Sequence, residues 1–123
     1  MTGVQTCALP IFHDLRHWEK EKFIIESTGS LCLARRAKIA YAALSKRTDK
    51  EAVKEWADLM GYEAEVFETR SHTGMPVYHT DLVMFIGSEV AGVCMECILP
   101  EYRDRVLQRL YCTHDVEIGR AHV

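Results

Sequence analysis

The chain has 123 residues, 48% of them hydrophobic and 27% charged, with three Pro and a formal charge of −3. That composition excludes a disordered or collagen-like chain, and the length suits one domain rather than two. No apolar run approaches the roughly 18 residues that cross a bilayer, and the basic residues are scattered, which argues against a membrane and against nucleic acid as partners.

The five Cys form no disulfide framework, and unpaired thiols suit a reducing, cytoplasmic compartment. Residues 1–11, MTGVQTCALPI, carry no charge and no periodicity, and they lack the basic start of a secretory signal. The string resembles a translated sequencing-library adapter, and residues 118–123, IGRAHV, resemble the same adapter read from the other side. The expectation is therefore a native stretch over 12–117 that is an internal piece of a longer protein.

Residues 12–22 are polar and define no element. Leu31–Ala34 and Ile39–Leu44 are short apolar runs joined by Arg35-Arg36-Ala37, the pattern of a β-hairpin. Thr48 with Glu51 three residues later reads as a capping box opening a helix. Val53, Trp56, Ala57 and Met60 then recur at helical spacing, and Gly61 stands where a helix-ending glycine belongs. Tyr62–Glu68 alternates as a strand with Ala64 and Val66 on one face. The unit is β-β-α-β.

The same order then recurs. Leu82–Ile86, the turn Gly87-Ser88-Glu89 and Val90–Met95 make a second hairpin. Pro100 opens a second helix whose apolar face is Val106, Leu107, Leu110 and Tyr111, and Thr113–Glu117 begins a last strand. A shift of 51 residues lays one unit on the other, the mark of a repeat architecture. Such units close by packing several copies around an axis, as in a propeller, and two copies leave open edges.

The repeat also locates chemistry. Glu26-Ser27-Thr28-Gly29 precedes the first strand of one unit, and His79-Thr80-Asp81 precedes the first strand of the next. Equivalent positions fall at one end of a radial array. A carboxylate from one unit, with an imidazole and a carboxylate from the next, can bind a cation and move a proton.

Three stretches carry a resemblance: Phe23-Ile-Ile-Glu-Ser-Thr-Gly-Ser, Ile39-Ala-Tyr-Ala-Ala-Leu-Ser-Lys-Arg-Thr-Asp and Tyr78-His-Thr-Asp-Leu-Val-Met. In this order they resemble the amidinotransferase and arginine-deiminase superfamily, within it the bacterial citrulline-utilisation hydrolases. The resemblance implies a five-bladed α/β-propeller (pentein-type), of which about two ββαβ blades are present. It implies a small guanidino or ureido substrate of arginine or citrulline type, attacked by a Cys thiolate, with no cofactor and no metal. His79 is then the catalytic imidazole, Glu26 a carboxylate that binds guanidinium or orients His79, and Asp81 a second substrate carboxylate. Relatives often carry Asn at the position of Asp81. No Cys here fits the motif of the nucleophile, which lies near the end of the parent protein, so the piece is expected to be inactive alone.

Other readings stay open on the residues. Cys94, Cys97, Cys112 and His114 compose a four-ligand zinc set, which would make a small metal-stabilised binding module, although Cys94 ends an apolar strand where a core residue belongs. A catalytically inactive propeller relative is the other. Cys32 reads as core, and Ser71-His72-Thr73-Gly74-Met75-Pro76 as a loop.

Overall fold

The computed structural model describes Ile25 and residues 28–119. β1 (Cys32–Ala34) and β2 (Ile39–Leu44) pair antiparallel, with Cys32 opposite Tyr41 and Ala34 opposite Ile39. The turn between them closes on Lys38, whose φ of 59° is the left-handed conformation a tight reversal demands. α1 (Lys50–Met60) follows, and β3 (Glu63–Glu68) returns parallel to β2 with Ile39 opposite Glu63. A helix is the economical way to join parallel neighbours.

The second unit repeats this path. β4 (Met84–Ile86) pairs antiparallel with β5 (Val90–Cys94), α2 (Pro100–Thr113) crosses over, and β6 (Asp115–Gly119) lies parallel to β5. Each unit is a three-stranded sheet in the order of its strands. Their elements start at Cys32 and Met84, Ile39 and Val90, Lys50 and Pro100, and Glu63 and Asp115, within one residue of the 51-residue spacing. Even the entrances match, since short 3-10 turns at Thr28–Ser30 and Thr80–Leu82 precede β1 and β4. The chain is a mixed α/β protein built from two ββαβ units. Among the described residues no helix is long and apolar enough to cross a membrane.

Several local expectations shift. Asp49, not Thr48, caps α1: its carboxylate accepts from the backbone N–H groups of Glu51 and Ala52 at 3.0 and 3.1 Å. Thr48 is instead buried, held in a tight backbone exchange with Ser45. Gly61 ends α1 as expected, at φ 76°, and Pro100 opens α2. The buried stripe of α1 is Ala52, Val53 and Ala57, while Met60 is exposed and Trp56 is half-buried against the Tyr62 ring at 5.3 Å. In α2 Val106 and Leu110 are buried, but Tyr111 is exposed. Leu82 belongs to the 3-10 turn and is also exposed. α2 continues through Thr113, and β6 runs to Gly119, past the boundary drawn at Glu117.

β3 buries the face opposite to the expected one. Glu65 and Phe67 point inward, and Ala64 and Val66 are only half-buried. The buried Glu65 carboxylate is met by two cations from α2, Arg105 Nε at 2.6 Å and Arg109 Nε at 2.9 Å. Arg109 also pairs with Glu63, and Tyr102 donates its hydroxyl hydrogen to Glu68 at 2.7 Å. The second helix is thus fastened to the first sheet by charge-assisted bonds.

One core spans both units. Cys32, Tyr41, Ala43 and Phe67 from the first cluster with Val83, Met84, Ala91, Val93, Ile98, Val106 and Leu110 from the second. The Thr80 hydroxyl joins the backbones across it. It donates to the Ser30 carbonyl at 2.6 Å and accepts from the Ala43 N–H at 2.8 Å, with Thr80 and Ser30 fully buried. Thr80→Val keeps the shape but orphans both backbone groups, so urea unfolding is expected to show a loss of about 2–4 kcal/mol, whereas Thr80→Ser stays within about 1 kcal/mol. Equal stability of the two variants would show that the hydroxyl bonds contribute nothing.

Candidate functional site

The candidate site grows from this junction. Thr80 is anchored to the first unit, so its neighbours His79 and Asp81 are held at the seam. His79 is the extended residue that opens the 3-10 turn, at φ −123° and ψ 135°, and its carbonyl accepts from Leu82 N–H at 3.2 Å. It is half-buried, and Asp81 is exposed.

Asp81 reaches back to the entrance of the first unit. A Cβ on Gly29 would sit 2.8 Å from Asp81 Oδ2 and 2.9 Å from Oδ1, so the bare glycine is what admits the carboxylate. The two polar segments singled out from the repeat therefore meet. Glu26 itself lies outside the described residues, three positions before Gly29.

Asp81 also stands at the edge of an open groove of about 300 Å³ on the second sheet, which it lines with Leu82, Phe85, Cys94, Glu117 and Ile118. The Phe85 ring lies over Gly92, its cross-strand partner. Glu117 is a carboxylate the sequence reading did not select. Its place opposite Gly92 in β6 becomes visible only with the register.

Arg47 was also passed over, although it lies in the second motif. Its guanidinium sits 4.5 Å from the centroid of the Tyr78 ring, and the Ser45 hydroxyl donates to the Tyr78 carbonyl at 3.5 Å. The loop between β2 and α1 thus abuts the residue before His79, and a cation stacked on an aromatic face there is held in place.

The thiols separate into distinct environments. Burial first, and the Asp81 charge second, push the Cys32 thiol up to about 12. Burial likewise moves the Tyr41 phenol up to about 12. Cys94 and Cys97 face each other with their sulfurs 3.1 Å apart, and Cys112 is exposed on α2. His114 has Nδ1 against Thr113 Oγ1 at 2.7 Å and Nε2 against the Gly87 carbonyl at 2.9 Å. Both of its ring nitrogens are occupied, and among the described residues no three His, Cys, Asp or Glu side chains are grouped to hold a metal. The four-ligand zinc set of the sequence reading is not assembled.

With the geometry in view, comparison with known proteins gives the class: the chain belongs to the guanidino-group-modifying, pentein-type proteins. The matching family model is described as N,N dimethylarginine dimethylhydrolase, eukaryotic; it matches residues 4–118, and the chain is a member of that family. The match begins inside residues 1–11. Neither the curated proteins nor the solved structures contain a significant match.

Two outcomes test this geometry. Gly29→Ala is expected to displace the Asp81 carboxylate and move its carboxyl carbon resonance. The stability cost stays under about 1 kcal/mol, because an exposed side chain can swing away. An unmoved resonance would mean the two residues are not in contact. The raised Cys32 and Tyr41 values have a definite sign. The folded state keeps both protons where the unfolded state sheds them, so stability falls as pH climbs from the ordinary thiol range toward 12. At pH 8, Cys112 is expected to be alkylated in the native protein at least roughly a hundredfold faster than Cys32. Comparable rates would contradict the burial of Cys32.

Proposed function

We propose that this chain supplies two of five ββαβ units of an α/β-propeller hydrolase acting on a guanidino or ureido group. The seam between the units forms one wall of its pocket. The observation that carries the reading is the approach of Asp81 to Gly29, which brings together the entrance turns of the two units, Thr28–Ser30 and Thr80–Leu82.

A guanidinium keeps its charge at ordinary pH, so its pocket must offer anionic acceptors in its plane. Glu26 and Asp81 are assigned that task. In the reaction, a thiolate adds to the central guanidino carbon. The bond to the leaving nitrogen breaks, and the amine departs with a proton delivered by His79. His79 then takes a proton from water as the water oxygen adds to the same carbon. The C–S bond breaks and the thiolate is restored, leaving a ureido product. Water as acceptor makes the enzyme a hydrolase; an amine acceptor would make it an amidinotransferase.

The family description favours a dimethylated arginine, which releases dimethylamine. The motifs' resemblance to bacterial citrulline-utilisation hydrolases keeps arginine and citrulline as substrates to assay. Arg47 beside Tyr78 suits the α-carboxylate that all three share. We place the nucleophilic thiol outside residues 12–117, and the protein in the cytoplasm, where such a thiol stays reduced.

Turnover by the purified chain tests the reading. No citrulline is expected from dimethylarginine or arginine, and no ornithine from citrulline, because loss of the nucleophile removes most of the acceleration of a covalent mechanism. Turnover abolished by thiol alkylation would place the nucleophile among this chain's own cysteines and overturn the assignment.

A further inference from the structure

Cys94 closes β5 and Cys97 closes the 3-10 turn Met95–Cys97 that follows. Cys94 is the extended residue that opens the turn, at φ −92° and ψ 91°, and the turn brings Cys97 back beside it. They stand 3.1 Å apart as free thiols, so a disulfide needs only about 1 Å of further approach. Nothing in the guanidino chemistry uses them.

Their surroundings tie this turn to the candidate site from both sides. The Cys94 N–H donates to the Val83 carbonyl at 2.8 Å, and Val83 ends the turn that begins at Thr80. The Cys97 carbonyl accepts from the Arg70 N–H at 2.7 Å, and Arg70 begins the loop that leads to His79. Arg103 Nε donates to the Ile98 carbonyl at 2.7 Å, and Ile98 bridges Thr69. The C-x-x-C turn therefore grips both ends of the segment that carries His79 and Asp81.

We propose that Cys94 and Cys97 form a reversible intramolecular disulfide by exchange with a low-molecular-weight disulfide such as glutathione disulfide, and that its closure shifts the His79–Asp81 segment. The Cys94 thiolate attacks one sulfur of the small disulfide, the S–S bond breaks, and one small thiolate leaves. The Cys97 thiolate then attacks Cys94 Sγ and expels the second. The two protein S–H protons end on the two departing small thiolates, so the protein is oxidised by two electrons and the small disulfide is reduced to two thiols.

The order follows from position. Cys94 lines the open groove, where a small disulfide can approach it. Burial first, and the hydrogen bond to Cys94 next, push Cys97 up to about 11, which makes it the poorer first nucleophile.

The test equilibrates the protein in glutathione mixtures of rising oxidised fraction, traps free thiols with an alkylating agent at low pH, and digests with trypsin. Cys94 and Cys97 are the two cysteines of the peptide 71–103, while Cys32 and Cys112 fall in others. That peptide is expected to lose two hydrogens and to take no alkyl group as the oxidised fraction rises. Cys97→Ser is expected to collect glutathione on Cys94 at least roughly tenfold faster than Cys94→Ser collects it on Cys97. Amide exchange over residues 78–83 is expected to change on oxidation of the wild type and to stay constant in Cys94→Ser.

Alkylation of both sulfurs at every glutathione ratio would overturn the disulfide. Equal adduct rates in the two Ser variants would overturn the order of attack. Unchanged exchange over 78–83 in the oxidised protein would overturn the coupling. If the Ser variants do not fold, the wild-type peptide and its exchange still decide the first and third points. None of these readouts requires turnover, so failure here is distinct from failure of the guanidino reading.

Discussion

A single hydroxyl sets the relation between the two units. β1 begins only at Cys32, and the Ala43 N–H lies beyond the Cys32–Tyr41 pair that ends its ladder with β2. Burying that N–H unpaired would cost about 1–3 kcal/mol. Thr80 fills the position that a longer β1 would have taken, accepting from Ala43 and donating to Ser30. The side chain must accept and donate at once, and its methyl must fit a dry core. Serine would meet the first condition and valine the second. Since His79 and Asp81 flank Thr80 in the chain, the bond that seals the seam also fixes where the candidate site begins.

The Glu65 pairing secures the other end of the same interface. A carboxylate with 4% of its side chain exposed is tolerable only with strong partners, and Arg105 and Arg109 supply them from a helix of the second unit. The arrangement is not free of cost. Tyr41 stands opposite Glu65 in the β2–β3 register, and its hydroxyl has no hydrogen-bond partner among the described residues; the Thr48 hydroxyl is in the same state. Both lie at the first unit's contacts. One of these unmet groups is in β2 and the other in the loop that leads to α1, beside a core built from both units.

What was legible in the sequence were the features carried by local chemistry. Apolar runs marked the hairpins, Gly61 and Pro100 marked helix ends, and equal spacing exposed the repeat. The strand β3 shows where that reading stops. Charge alone places Glu65 outward and Val66 inward; the reverse holds because Arg105 is brought in from 40 positions away. Thr48 and Asp49 are adjacent and chemically similar caps, and only the backbone conformation at Asp49 separates them. The site divides in the same way. His79 and Asp81 could be selected from their place in the repeat, but the approach of Asp81 to Gly29 and the stacking of Arg47 on Tyr78 depend on how two distant segments pack. Glu26, the remaining member, lies outside the described residues.

Leu82, Phe85 and Ile118 look misplaced if the described residues are taken as a finished surface. They are 71%, 57% and 54% exposed, and they border the same groove. On the first sheet, Tyr41, Ala43, Glu65 and Phe67 are buried where the second unit packs. The second sheet has no such cover among the described residues. A further unit docking there as the second docks on the first would bring its own entrance turn against β5, much as Thr80 lies against β2. Its flanking polar residues would then arrive beside Asp81 and Glu117. Under the function proposed above, a pocket for a planar cation needs acceptors from several directions, and this seam would supply them from only one side. The same docking would bury the exposed apolar residues and complete the ring of charges, so the stability of such an assembly and the making of its site would be one event.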